Sequence, residues 1–229
     1  MKRIGLLGGM SWESSALYYS HINELVAERL GGLHSADCVM ASVDFALIER
    51  MQVEGRWDDA GAYLAARAAD LELAGADFVV LCTNTMHKVA DQISDAISIP
   101  LLHLGDATAS AVRATGITTV GLLGTRFTMD ESFYVDRLAS HGLTVVLPEA
   151  DQRRVINDII YDELVLGTIR PESRVRYLGI IESLRELGAQ GVILGCTEIE
   201  LLVSQADTDL PLFATTAIHA EAAVNFALA

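Results

Sequence analysis

The chain has little lysine, proline, cysteine or positive charge. Of its 229 residues, only Lys2 and Lys88 are lysines. A pyridoxal-dependent enzyme needs a Schiff-base lysine with supporting phosphate contacts. Lys2 is terminal and Lys88 follows no cofactor signature, so no such chemistry is expected, and no cofactor or metal is called for. Four prolines and no low-complexity stretch leave no segment that reads as disordered. The three cysteines, Cys38, Cys82 and Cys196, are odd in number and lack metal-type spacing, which argues against a disulfide framework and leaves a reactive thiol as the option of interest. Apolar runs, such as that around Phe78 to Leu81, fall far short of the roughly 20 residues a membrane helix needs. The N-terminal stretch superficially resembles a signal peptide. Glycines break it and Trp12-Glu13 follows, so it reads as a first strand and turn, and the protein is expected in the cytoplasm. With a formal net charge of −15, the surface repels phosphate backbones and anionic lipids, which argues against nucleic-acid and membrane partners. Attraction for an acidic ligand would have to be local, from backbone amides and helix N-termini. The first turn, Gly5-Leu6-Leu7-Gly8-Gly9-Met10, fits neither the dinucleotide nor the P-loop pattern.

What is present is alternation. Strand-like apolar runs occur at Ile4 to Leu7, Cys38 to Val43, Phe78 to Leu81, Thr119 to Leu123, Leu143 to Leu147 and Val192 to Leu194. Between them lie helical patterns such as Ser14 to Leu30, Trp57 to Ala74, Phe133 to His141 and Arg174 to Leu187. This is the signature of an α/β fold with parallel sheet. The chain also repeats itself. Ile4-Gly5-Leu6-Leu7-Gly8-Gly9 returns as Val120-Gly121-Leu122-Leu123-Gly124-Thr125 at an offset of 116. The run from Ala74 to Leu81 returns from Gly188 to Gly195, and Ile99-Pro100-Leu101-Leu102 returns as Leu210-Pro211-Leu212-Phe213. Three landmarks in one order at similar offsets indicate duplication. The expected architecture is two Rossmann-like half-domains, residues 1–103 plus 209–229 and residues 104–208, related by approximate two-fold symmetry with the active site between them.

Ligands of open parallel sheets sit beyond the carboxyl ends of the strands. There the two copies read Cys82-Thr83-Asn84-Thr85 and Cys196-Thr197-Glu198. Aligned without adjustment, Cys82 falls opposite Cys196; shifted by one residue, Thr83 does. On a strand that one residue means the opposite face, and the sequence leaves both alignments open. Two proton-carrying groups on opposite faces of a substrate carbon are what racemisation requires. A thiol suits the task, since amide dipoles and helix N-termini can lower its pKa. The amides of Asn84-Thr85 and Thr197-Glu198, if they open helices, could hold a carboxylate and the enolate-like charge that develops.

The segments Leu6-Leu7-Gly8-Gly9-Met10-Ser11-Trp12-Glu13-Ser14, Cys82-Thr83-Asn84-Thr85-Met86-His87-Lys88 and Leu194-Gly195-Cys196-Thr197-Glu198-Ile199 resemble the aspartate/glutamate racemase family, as do Gly31 to Ala36 and Ala217 to Glu221. The resemblance implies a homodimeric isomerase that racemises aspartate or glutamate with neither pyridoxal phosphate nor metal. It also implies one cysteine in each half, usually written Cys-Asn-Thr and Gly-Cys-Thr. Here Thr83 holds the first cysteine position, as in a bacterial branch specific for L-aspartate and L-glutamate. By this resemblance Thr83 and Cys196 are the catalytic pair, with Thr83 mainly a donor or water-positioner. Met10, Gln52, Asn84, Thr85, Thr197 and Glu198 are substrate contacts. Some relatives place a lysine near Tyr161, where this chain has Leu164-Val165-Leu166, so one partner for a side-chain carboxylate is missing.

Plainer readings stand beside these. Thr83, Asn84, Thr85, Thr197 and Glu198 could be helix caps, and Cys196 a small core residue. Cys38 and Cys82 read as core, and His87 and His219 as structural histidines. Alternative functions are a broad-specificity racemase, a hydantoin- or maleate-type isomerase, or a non-catalytic binder of small carboxylates.

Overall fold

Eight parallel strands are divided between two separate four-stranded sheets in a computed structural model that describes residues 1–229. The chain forms two compact units, residues 1–104 with 219–229 and residues 105–218. In the first unit the order along the chain is β1 (Ile4–Gly8), α1 (Trp12–Leu30), β2 (Cys38–Ser42), α2 (Phe45–Val53), α3 (Trp57–Leu73), β3 (Phe78–Leu81), α4 (Ala90–Asp95) and β4 (Leu101–Leu102). Leu104 then opens α5 (Leu104–Ala114), along which the chain enters the second unit. There follow β5 (Thr119–Gly124), α6 (Arg126–Asp130), α7 (Ser132–Ser140), β6 (Thr144–Val146), α8 (Ala150–Asp162), α9 (Pro171–Glu186), β7 (Val192–Gly195), α10 (Ile199–Leu202) and β8 (Leu212–Ala214). The last helix, α11 (Thr215–Leu228), returns the chain to the first unit at His219.

Both sheets have the same topology, β2-β1-β3-β4 and β6-β5-β7-β8. Duplicated α/β units with parallel sheets are therefore what the chain folds into. Strand residues alternate between two buried faces, which is why these runs are apolar throughout rather than every second residue. In the first unit Leu7, Val79 and Leu81 pack with Ile48, Leu64 and Leu71 of α2 and α3. Their neighbours Ile4, Leu6, Phe78 and Val80 pack on the other face with Tyr18, Ile22 and Val26 of α1 and with Ala220, Ala223 and Val224 of α11. In the second unit Leu123, Val192 and Leu194 meet Ile156 and Ile160 of α8 and Tyr177, Ile181 and Leu184 of α9. Each such side chain contributes roughly 1.5–3 kcal/mol on burial.

Residues 209–218, assigned by the sequence reading to the first half, lie in the second. The reason is hydrogen bonding: β8 pairs with β7, Val192 opposite Leu212 and Leu194 opposite Ala214.

Backbone register settles the one-residue ambiguity between the copies. Gly5 pairs with Val79 and its repeat Gly121 pairs with Val192. Val79 therefore corresponds to Val192, and four residues on, Thr83 corresponds to Cys196.

Candidate active site

In each sheet the chain runs from the first strand to one neighbour and then crosses to the other side, so the order reverses between β1 and β3 and again between β5 and β7. Such switch points open a crevice at the carboxyl ends of the two strands. Thr83 stands at the first and Cys196 at the second.

The first switch point is tightly built. Gly9 has φ 93°, a left-handed conformation that glycine tolerates, and a Cβ there would collide with the backbone of Val43. The Gly9 amide donates to Ser15 Oγ (2.7 Å), the Cys82 amide to the Leu7 carbonyl (2.9 Å) and Ser14 Oγ to the Cys82 carbonyl (3.2 Å). The start of α1 thus ties the ends of β1 and β3 together. Met10, named above as a substrate contact, is buried in the apolar cluster that also holds Met51 and Met86. Cys82 lies in the core with Tyr18 and Ile22, its thiol aimed at the Val80 carbonyl (3.6 Å), and burial pushes its pKa up. It packs as a core thiol.

Thr83, Asn84 and Thr85 form the turn that leaves β3, all buried. The turn opens a short 3-10 segment, Thr85–Val89. Asn84 occupies its cap position, yet the side chain makes no capping bond, so the plain capping role does not account for it. Gln52, near the end of α2, is also buried. Its Nε2 faces Met86 Sδ at 2.9 Å and its Oε1 has no hydrogen-bond partner. A buried amide oxygen without a donor is costly, and a ligand ammonium would relieve it.

Thr197 and Glu198 gather around Cys196 in the second unit. The Cys196 thiol donates to Glu198 Oε2 (2.9 Å), and the same oxygen accepts from Thr197 Oγ1 (2.7 Å). All three side chains are buried. The expectation that local dipoles lower the Cys196 pKa fails. Burial raises it well above the ordinary value, and the Glu198 carboxylate raises it further. α10 begins three residues after Cys196 but is only four residues long, too short for a strong dipole. The resting thiol is therefore protonated and donates to the Glu198 carboxylate. The Leu164 side chain is buried in the same apolar cluster as Cys196.

Three residues that the sequence reading left out of the site lie against it. His87 contacts the Thr83 backbone. Glu200 is mostly buried, and burial raises its carboxyl to about 7 despite the opposing influence of the Thr216 amide and hydroxyl. Thr216 is fully buried beside it. The signal for two of them was spacing: His87 and Glu200 each follow Thr83 or Cys196 by four residues.

The fold and its two switch points define a duplicated α/β protein with proton-carrying side chains at equivalent strand ends. The Asp/Glu/hydantoin racemase family model matches residues 7–223, and the chain belongs to that family. Among solved structures, a candidate Asp/Glu racemase from Yersinia pestis is 51% identical over the full length of both chains, with a TM-score of 0.95. An aspartate racemase homologue from Pyrococcus horikoshii OT3 is 33% identical, again over both full chains, with a TM-score of 0.89. The broad specificity amino-acid racemase RacX of Bacillus subtilis (strain 168) is 26% identical over 165 residues, 71% of this chain and 70% of RacX.

Proposed function

We propose that this protein is a cofactor-independent amino-acid racemase that interconverts L- and D-aspartate or glutamate by two-base proton transfer, with Thr83 and Cys196 acting at one substrate carbon. The observation that carries the reading is the equivalence of Thr83 and Cys196 by strand register, one after each switch point. Family membership supports it.

In the direction that Cys196 opens, its thiol proton passes to Glu198 and the thiolate takes the substrate α-proton. The carbanion receives a proton on its other face from Thr83, or from a water that Thr83 holds. The alkoxide or hydroxide left there is neutralised through solvent by the proton parked on Glu198, and the charges balance. Gln52 Oε1 accepts from the substrate ammonium, while Asn84, Thr85 and the amides of Thr197 and Glu198 hold its carboxylate. A threonine hydroxyl is a far weaker base than a thiolate, so the enantiomer whose α-hydrogen faces Cys196 is the better substrate. Both lysines are engaged elsewhere: Lys2 with the Phe226 carbonyl (3.2 Å), and Lys88 over the Trp57 ring (3.7 Å). That arrangement supports chemistry without a Schiff base. We further expect a cytoplasmic homodimer. No helix is long and apolar enough to cross a membrane.

The test is α-proton exchange in deuterium oxide, followed by NMR over a panel of L- and D-amino acids. Exchange of aspartate or glutamate that disappears in Cys196→Ala supports the reading. Exchange unchanged in that variant refutes the site assignment, and no exchange with any amino acid would point instead to a carboxylate-binding protein.

A further inference from the structure

His87 is buried, and both of its ring nitrogens face backbone groups. Its Nδ1 lies 2.7 Å from the carbonyl of Thr83, and its Nε2 lies 3.1 Å from the amide of Leu104. A carbonyl can only accept and an amide can only donate, so one tautomer satisfies both: neutral imidazole with the proton on Nδ1. Protonation of Nε2 would set two donors face to face. Two further imidazoles, His103 and His219, stand 4.6 and 6.0 Å away between ring centroids.

The two ends of this bridge are informative. Thr83 begins the turn that leaves β3. Leu104 is fully buried, opens α5 directly after β4, and is the last residue of the first unit before the chain crosses. The opening amides of a helix have no partner within it, and the Leu104 amide finds one in His87. The imidazole therefore joins the carboxyl ends of β3 and β4 across the turn that carries Thr83, Asn84 and Thr85. The chemistry described above makes no use of it.

We propose that His87 is a positioning residue for Thr83: as a fixed neutral imidazole it clamps the Thr83 carbonyl to the first amide of α5 and sets the angle at which the Thr83 hydroxyl serves the substrate. The proposal rests on the racemase reading. If Thr83 serves one face of the carbanion and Cys196 the other, loosening Thr83 has a particular result. Cys196 still removes the α-proton and returns deuterium to the same face, giving exchange with retention. Inversion, which needs Thr83, fails.

The experiment compares wild type, His87→Phe and His87→Gln in deuterium oxide. Exchange is followed by NMR and inversion by chiral chromatography of aspartate and glutamate. In His87→Phe the ratio of inversion to exchange falls at least tenfold, starting from the enantiomer that Cys196 serves. His87→Gln, which keeps one donor and one acceptor, recovers part of that loss. General loosening of the fold would lower both rates together, so an unchanged ratio in His87→Phe overturns the proposal. If His87→Phe does not fold, ¹⁵N imidazole shifts of the wild type decide, with the His87 signals assigned by their loss in His87→Gln. A single neutral Nδ1–H form is required, and an Nε2–H form or an imidazolium at neutral pH overturns the clamp. Failure of the racemase reading itself would look different: wild type would neither invert nor exchange any amino acid, while the imidazole spectrum would still report on the clamp.

Discussion

A thiol beside a carboxylate in a buried place is an acid at rest. For Cys196 this inverts the usual picture of an activated cysteine, because burial and Glu198 both oppose the thiolate. Glu198→Gln removes the carboxylate's influence while burial persists. The midpoint for alkylation of Cys196, followed by mass spectrometry across pH, is expected to move down. Racemisation at neutral pH is expected to fall at least tenfold in the same variant, since the thiol proton has lost its acceptor. Easier ionisation together with lower activity would separate the relay from simple thiol activation. Glu200 gives a second prediction. Its folded pKa of about 7 lies above the ordinary carboxyl value of 4.5, so the fold favours the protonated form. That favour is fully present below pH 4.5 and is lost as pH rises through 7. Glu200→Gln should accordingly stabilise the protein at pH 8 by on the order of 2 kcal/mol and change little near pH 4.5, as read by urea denaturation at both pH values.

At the scale of elements, much was legible in the sequence, because buried parallel strands need continuous apolar runs. The six strand runs and four helical patterns occur close to where the residues placed them. β4 and β8 are two and three residues long; they were visible as repeat landmarks around Leu101 and Leu212, too short to be read as strands. Which half owned β8 is a matter of pairing with β7, which local pattern does not carry. The equivalence of Thr83 with Cys196 was also hidden. The copies drift from an offset of 116 at Gly5 to 113 at Val79, and only hydrogen-bond register fixes where the drift occurs. Of the candidate site, the places of Thr83 and Cys196 after two apolar strands were legible; the raised pKa of Cys196 was not, since it depends on burial and on how Glu198 folds back. The turn after β1 offers a test of how far local geometry controls the switch point. Gly9→Ala forces a side chain into φ 93° and against Val43. It should cost about 2 kcal/mol, seen as a lower Tm, and reduce racemisation by more than the fraction unfolded explains.

For the molecule as a whole, acid is the revealing stress. His219 is fully buried, bonded to Tyr18 Oη (2.9 Å) and the Leu102 carbonyl (2.8 Å). Burial lowers its pKa to about 4, below the ordinary imidazole value of 6.5. The neutral ring's contribution is complete above pH 6.5 and is lost as pH falls toward 4. Denaturation midpoints should decline across that window, and His219→Gln should flatten the decline even if it lowers stability at pH 7. The division of the chain has a consequence for synthesis. The second unit is contiguous, whereas the first needs residues 219–229 to cover Ile4, Leu6, Phe78 and Val80. On the ribosome, the unit that begins first is therefore completed last, and its apolar sheet face waits bare while residues 105–218 are made. A chain stopped at Ile218 should bind a fluorescent apolar dye strongly and call on chaperones, although all eight strands are present.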